Sequence, residues 1–366
     1  MTHKIFSLPE YPVSYDLWDK LRDKKRPIVI YGMGNGADKL LDRFSELGIV
    51  AKDIFASDGF VRGHEFHGIR VKSFSEIKSL YDDFVIVLSF ASNREEVLEM
   101  LTNINESYEM YIPDMPVCDV SEYFDKDYYN THYSEILSAY EALSDEYSRS
   151  LFSAIINFKL SGKMSYLTDI YSTREEMYSS FDKEAVKSII DVGAYNGDTV
   201  REAIEYFPSL ESVVAIEPDK KNYKRLKKFV DSLGSECIEI RALNSAAWSH
   251  SGEGEFQSSG NRNSSISSTS SYENKDIDVS LISIDSLGLT PDYIKYDVEG
   301  AELEALIGTD VTINRCRPTL LVSLYHRSKD IFFLINYLHE KYPFYKLRLH
   351  RLKCVPAWEI NLILTT

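Results

Sequence analysis

The sequence predicts an α/β protein built from two successive parallel sheets, the smaller one first, joined by a helical connector. Three observations carry this. Apolar strand-like runs alternate with amphipathic helical stretches over residues 27–112 and again over residues 188–366. Residues 118–186 hold helical spacing and no convincing strand. A glycine-rich turn sits between strand and helix at the start of each β-α region. A length of 366 residues fits two domains with a connecting element. The expected boundaries are 1–117, 118–186 and 187–366.

In the first region PIVIY reads as a buried strand, and ADKLLDRFSELG as a helix with Leu40, Leu41, Phe44 and Leu47 on one face and Gly48 near its C-terminus. DIFAS and FVIVLSF are further strands, NREEVLEML a helix and YEMYI a fourth strand. In the connector Ile136, Tyr140 and Leu143 fall at helical spacing. Tyr147, Leu151, Ile155 and Phe158 do so again, and the run stops at Ser161-Gly162. The connector is expected to pack the two domains together. The last region opens with SIIDVGAYNG as strand, turn and helix start. The strand VVAIEPD follows, then a helix from Asp219 to Leu233, then IEIRAL, YIKYDVEG and TLLVSLYH. The C-terminal stretch turns near Pro356 and reads as a closing pair of strands, the last antiparallel.

Composition narrows the function classes. Hydrophobic residues are 44% and charged residues 27%, an ordinary globular balance. The formal charge of −16 argues against a nucleic-acid binder, which needs a basic face. The 25 tyrosines serve core packing, with a sugar-stacking pocket as the alternative use. Cys118, Cys237, Cys316 and Cys354 form no C-x-x-C pair, so zinc fingers and a redox dithiol are not expected and the thiols read as reduced. No apolar run reaches the ~18 residues that span a bilayer, and the N-terminus has no apolar signal core. The expectation is a cytoplasmic protein, and a homo-oligomer stays open. DKKNYKRLKKFV holds six basic residues and reads as the solvated face of a helix, or else as a contact for an anionic glycan, a diphosphate or a membrane surface.

The chemistry concentrates at DVGAYNG. Gly193 and Gly197 are candidate close-approach positions for a nucleotide-type cofactor, Asp191 ends the preceding strand, and Glu217 ends the next. A carboxylate there accepts hydrogen bonds from ribose hydroxyls. A dinucleotide site wants G-x-G-x-x-G, whereas here Tyr195 stands where the middle glycine would be. S-adenosylmethionine, which has no phosphate, tolerates this better; a tight turn without ligand is the plain alternative.

DVGAYNGDTV, AIEPD, LISIDSL, PDYIKYDVEGAELEALIG and RPTLLVSLYHRSKDIFFLINYL, in this order and spacing from about residue 185 onward, resemble the FkbM-type S-adenosylmethionine-dependent methyltransferases. LSDEYSRSLFSAIINFKLSG resembles the helical element preceding the catalytic domain in two-domain members. The resemblance implies a seven-stranded class I methyltransferase sheet. It also implies methylation mostly of hydroxyl oxygens on sugars or natural products. Carried over by position, it implies that Asp191, Gly193, Ala194, Tyr195 and Gly197 line the methionine and ribose part. Glu217 would hold the ribose, Pro218 and Asp219 would lie beside the adenine, and Asn244 to Ala246 would contact it. The Ser-rich stretch SSGNRNSSISSTSS would cover the substrate.

An alkyl hydroxyl must lose its proton as its oxygen attacks the sulfonium methyl, so a base or a metal ion is required. Asp297, Glu299 and Glu302 follow one strand, Glu299 and Glu302 three apart as on one helix face, and His326 follows the next strand. His326 is the candidate base, expected to titrate near neutral pH. Asp297 is the alternative, as base or as divalent-metal ligand with Glu299, although no H-x-x-x-H spacing supports a metal. The plain reading is helix capping and a structural histidine. The expected function is O-methylation of a sugar hydroxyl in a polysaccharide, glycolipid or nucleotide-sugar precursor.

In the first region GMGNGA, with Gly32, Gly34 and Gly36, fits G-x-G-x-x-A, and Asp58 closes the next strand. This marks a possible second site for a nucleotide or nucleotide sugar, and the competing function is an NAD-type oxidoreductase run from that loop. A turn retained without ligand is the alternative.

Overall fold

A computed structural model describes residues 4–61, 63, 65–118, 122–233, 238–257 and 276–366. Cys237 and the Ser-rich stretch 258–271 lie outside the described residues. The chain divides into two compact units. One holds residues 1–141, 145–172 and 351–360, the other residues 142–144, 173–350 and 361–366.

The first unit has a five-stranded sheet. Its strands are β1 (Ile28–Tyr31), β2 (Ala51–Ala56), β3 (Lys72–Ser73), β4 (Val85–Leu88) and β5 (Glu109–Tyr111), in the order β3-β2-β1-β4-β5 with all pairs parallel. β1 and β4 are buried along their whole length, which is why they read as unbroken Val/Ile runs and not as alternation. Helix α1 (Asn35–Leu47) lays Ala37, Leu40 and Phe44 into the core, and Gly48 closes it in the left-handed conformation. Helix α2 is Glu95–Ser107. The short strand β3 and a two-stranded ribbon at residues 65–70 are too brief to leave a periodic signal.

The described residues of 118–186 hold helices, among them α3 (Lys126–Thr131), α4 (Tyr133–Ala142) and α5 (Glu146–Ser161). Asp145 caps α5 by accepting from the Ser148 N–H, and Gly162 ends it in the left-handed region. Within α5, Lys159 reaches Asp114 at 2.6 Å in a buried ion pair. Segment 351–360 brings Arg351, fully buried, into this unit, where it donates to the carbonyls of Leu167, Ile170, Leu352 and Cys354.

The second unit carries a seven-stranded sheet. Its strands are β6 (Ser188–Val192), β7 (Ser212–Ile216), β8 (Glu239–Leu243), β9 (Tyr293–Tyr296), β10 (Thr319–Ser323), β11 (Lys346–Arg351) and β12 (Ile360–Thr365). Their order is β8-β7-β6-β9-β10-β12-β11. β12 runs antiparallel to β10, as the closing pair of strands predicts, and the pairs from β8 to β10 are parallel. Helices α6 (Asp198–Tyr206), α7 (Lys220–Ser232), α8 (Glu302–Ile307) and α9 (Asp330–Lys341) connect them. A small second sheet joins Ala246–Ala247, Gly252–Gln257 and Asp276–Ile282. The strand order reverses between β6 and β9, and such a switch point opens a crevice at the carboxyl ends of the strands.

Candidate functional site: a carboxylate-lined crevice at the switch point

The turn after β6 is shaped by its neighbours. Gly193 has φ +90°, and a Cβ there would lie 1.9 Å from the carbonyl oxygen of Asp297, just past β9. Its hydrogen is what lets two strand ends meet at the switch point. Gly193 and Ala194 both donate to the carbonyl of Ile216, tying the turn to β7. Gly197, φ +86°, starts α6, and a Cβ there would meet the Phe229 ring at 2.7 Å. Both glycines are therefore needed by packing within the fold. Between them Tyr195 adopts φ +46°, unusual for a bulky residue, and its N–H is thereby aimed at Glu217.

Asp191 is 1% exposed, and neither carboxylate oxygen has a hydrogen-bond partner. Burial pushes its carboxyl up to about 7, against the pull of Lys295 on the adjoining strand. A buried polar group without a partner is rare in folded proteins. Glu217 is also buried. Its Oε2 accepts from Tyr195 N–H at 2.9 Å and its Oε1 from Asp219 N–H at 2.8 Å. Burial outweighs these donors and raises it to about 8.

The remaining residues of this half hold the rim. Asp219 caps α7, its Oδ1 accepting from the N–H groups of Lys221 and Asn222. The basic run belongs to α7, whose buried residues are Asn222 and Leu226. Asn244 donates to the carbonyls of Glu217 and Pro218, locking the ends of β7 and β8 together. Ala246 is buried in the small sheet, paired with Leu281 and packed with Val279 and Trp248. Asp219, Asn244 and Ala246 thus have structural employment within the described residues.

On the other side of the switch point Asp297, Glu299, Glu302 and His326 come together. His326 is fully buried. Its Nδ1 lies 2.9 Å from Glu302 Oε1, and its Nε2 lies 3.4 Å from both Asp297 Oδ1 and Glu299 Oε2. These are ionic contacts and not aligned hydrogen bonds, for both ring nitrogens lack a hydrogen-bond partner. Burial works against a charge on the ring, but Glu302, Glu299 and Asp297 together outweigh it and push the imidazole up to about 10. The expectation that this histidine titrates near neutral pH is corrected: three carboxylates hold its proton. Burial also acts against ionisation of Asp297, and there Lys295, at 3.2 Å, and His326 prevail and hold it below the ordinary range. Glu299 and Glu302 do not share a helix face. Glu299 precedes α8 at φ +52°, and Glu302 turns back so that its Oε1 accepts from Val298 N–H.

Three members of this cluster escape the sequence reading. Lys295 sits beside both Asp191 and Asp297. Its signal is there in the sequence, a lysine inside the apolar run YIKY. Burial works against its ammonium, but Asp297 and Asp191 raise it above its ordinary range. Asp330, at the start of α9, is pushed up to about 7 by burial and by Glu302. The Tyr325 hydroxyl donates to Asp297 at 3.2 Å. Neither of the last two belongs to a spacing pattern.

In the first unit Gly32 (φ +114°) and Gly36 pack against Ser89 and Phe90, a Cβ on Gly36 meeting the Ser89 carbonyl at 2.0 Å. Gly34 faces open space. Asp58 accepts from the Phe74 N–H and the Ser75 hydroxyl, so both of its carboxylate oxygens are engaged.

A seven-stranded sheet in this order, with acidic residues at consecutive strand ends beside the switch point, defines a class I methyltransferase-type α/β fold. Residues 191–344 match the family model of the methyltransferase FkbM domain. The match covers less than half of the chain and supports a methyltransferase enzyme. The fold is similar to that of methyltransferase FkbM from Methylobacillus flagellatus KT, at 18% identity and TM-score 0.69, over 98% of this chain and 94% of that one. An rRNA methylase from Streptococcus thermophilus aligns at 11% identity and TM-score 0.35, over 54% of this chain and 98% of that one. A SAM-dependent methyltransferase from Aquifex aeolicus aligns at 14% identity and TM-score 0.31, over 52% and 87%. No curated protein matches the chain. Among the described residues no helix is long and apolar enough to cross a membrane.

Proposed function

We propose that the second unit transfers the methyl group of S-adenosylmethionine to a hydroxyl oxygen of a sugar, in a polysaccharide, glycolipid or nucleotide-sugar precursor. The observation that carries the cofactor half is the pair of buried carboxylates, Asp191 without a hydrogen-bond partner and Glu217 clamped by two N–H groups, at neighbouring strand ends. In this reading Glu217 accepts from the ribose hydroxyls and Asp191 faces the cofactor's amino-acid end. The hydroxyl acceptor is supported by Asp297 and Glu299, 27% and 23% exposed, which leaves each reachable from the crevice. An alcohol must shed its proton as its oxygen attacks, and in this reading these carboxylates take it up. The sugar class is supported by the resemblance of the motifs at 191–197 and 293–302 to the FkbM type.

Two measurements test the reading. In calorimetry with S-adenosylhomocysteine, Glu217→Ala should weaken binding by about 1.5–3 kcal/mol, on the order of 10–150-fold, the scale of a lost charge-assisted hydrogen bond. Unchanged affinity removes Glu217 from the ribose role. For the acceptor, mass spectrometry of nucleotide sugars and glycans incubated with S-adenosylmethionine should detect one added methyl group on a hydroxyl. Methylation confined to non-sugar acceptors overturns the sugar assignment.

A further inference from the structure

The geometry points to a divalent metal site in this crevice, with a carboxylate oxygen of Asp297, one of Glu302 and a ring nitrogen of His326 as its protein ligands. The inference rests on the methyl-transfer reading and adds to it the group that activates the acceptor.

The donors are already gathered. One candidate atom from each of the three residues lies within 4.8 Å of the others. A cation bound at ~2.0–2.2 Å from each ligand brings its donors about 3–4 Å apart. Nδ1 lies 2.9 Å from Glu302 Oε1 and Nε2 3.4 Å from Asp297 Oδ1, so each carboxylate meets a different ring nitrogen, and an ion held by one nitrogen draws in the other carboxylate from within the 4.8 Å span.

The second observation is independent of the clustering. Glu302 and His326 are 1% and 0% exposed, and Glu302 Oε2 has no hydrogen-bond partner. Glu302 is held in place through its other oxygen, which accepts from the Val298 N–H at 2.9 Å, so Oε2 is the atom left over. Buried polar atoms of this kind need a partner, and one cation serves several at once.

Charge points the same way. Asp191, Asp297, Glu299, Glu302 and Asp330 act on this cluster, against Lys295 and Arg327. One nitrogen with two carboxylate oxygens suits a first-row divalent ion, Mn²⁺ or Zn²⁺, better than a soft metal. Such an ion acts on the acceptor as a Lewis acid. The hydroxyl oxygen binds it and its proton passes to Glu299. The oxygen's electron pair then forms the bond to the methyl carbon as the carbon–sulfur bond breaks, leaving a neutral thioether.

The test uses the full chain, stripped with chelator and desalted, with MnCl₂ as the probe and MgCl₂ and ZnCl₂ as further arms. Equilibrium dialysis with elemental analysis should find one Mn²⁺ or Zn²⁺ per chain. Asp297→Asn and Glu302→Gln should each weaken that binding at least about tenfold. Asp297 is partly exposed, so its variant keeps the test informative should the buried Glu302 variant misfold. S-adenosylhomocysteine binding is measured on the stripped protein in parallel. If S-adenosylhomocysteine binding is intact and no divalent ion binds at millimolar concentration, the metal site is overturned and the methyltransferase reading stands. If metal binds and is indifferent to both substitutions, the assignment of ligands is overturned. If S-adenosylhomocysteine binds neither stripped nor loaded protein, the cofactor reading fails instead.

Discussion

Asp191→Asn separates stability from function at one atom pair. In the unliganded protein the Asp191 carboxyl sits at about 7, against an ordinary 3.8. An acid whose folded value is raised destabilises the fold as it ionises. The effect is absent below the unfolded value, grows between about pH 4 and 7, and is complete above that. A displacement of about three pH units at ~1.36 kcal/mol each amounts to about 4 kcal/mol at pH 8, and to about 2 kcal/mol at pH 5. Asparagine has nearly the same shape and cannot ionise. It still buries an unpartnered amide, which offsets about 1–3 kcal/mol of the gain. Urea denaturation of the unliganded protein, following the second unit, should show Asp191→Asn more stable than the parent at pH 8, with the advantage shrinking toward pH 5. The same variant should lose much of the stabilisation that S-adenosylhomocysteine confers by mass action. An Asp191→Asn protein no more stable than its parent at pH 8, or one equally stabilised by the ligand, refutes the reasoning.

Other perturbations have equally direct outcomes. Lys159→Ala leaves Asp114 charged and buried in the first unit, and should cost about 3–5 kcal/mol in denaturation, with Lys159→Met no better unless Asp114 is neutralised too. Gly193→Ala places a methyl group 1.9 Å from the Asp297 carbonyl oxygen in a left-handed backbone, and should cost about 3 kcal/mol or more and abolish cofactor affinity together with stability. Tyr195→Gly frees the backbone held at φ +46° but removes a ring expected to line the cofactor, and should weaken S-adenosylhomocysteine binding; unchanged affinity in calorimetry would take the ring out of the cofactor site.

Most of the second unit was legible because its buried strands are short apolar runs closed by acids or glycines, and because each helix carries one apolar stripe. Asp191, Glu217 and Asp297 were found at strand ends for that reason. What escaped depends on contacts remote in sequence. Nothing local says that Gly193 is required by the carbonyl of Asp297. The charge state of His326 was misread because its pKa is set by Glu302, Glu299 and Asp297 converging in space, and a free imidazole was the only reference available. Asp58, the acid of the possible second nucleotide site, accepts from the Phe74 N–H and the Ser75 hydroxyl, partners 16 and 17 residues away that the glycine-loop pattern does not show.

The first unit is assembled from separated stretches of chain, and segment 351–360 supplies its fully buried Arg351. During synthesis, everything from Thr173 to His350 must be translated between the Ile170 carbonyl and the guanidinium that satisfies it. At about 5–20 residues per second, that interval is roughly 9–36 s. Throughout it the amino-terminal unit waits with carbonyls unclaimed, and the usual order, in which the leading domain is finished before the trailing one begins, is unavailable. The ribosome delivers the keystone of the first unit only after nearly all of the methyltransferase sheet has emerged. A nascent chain arrested before residue 351 should accordingly be protease-sensitive within residues 145–172.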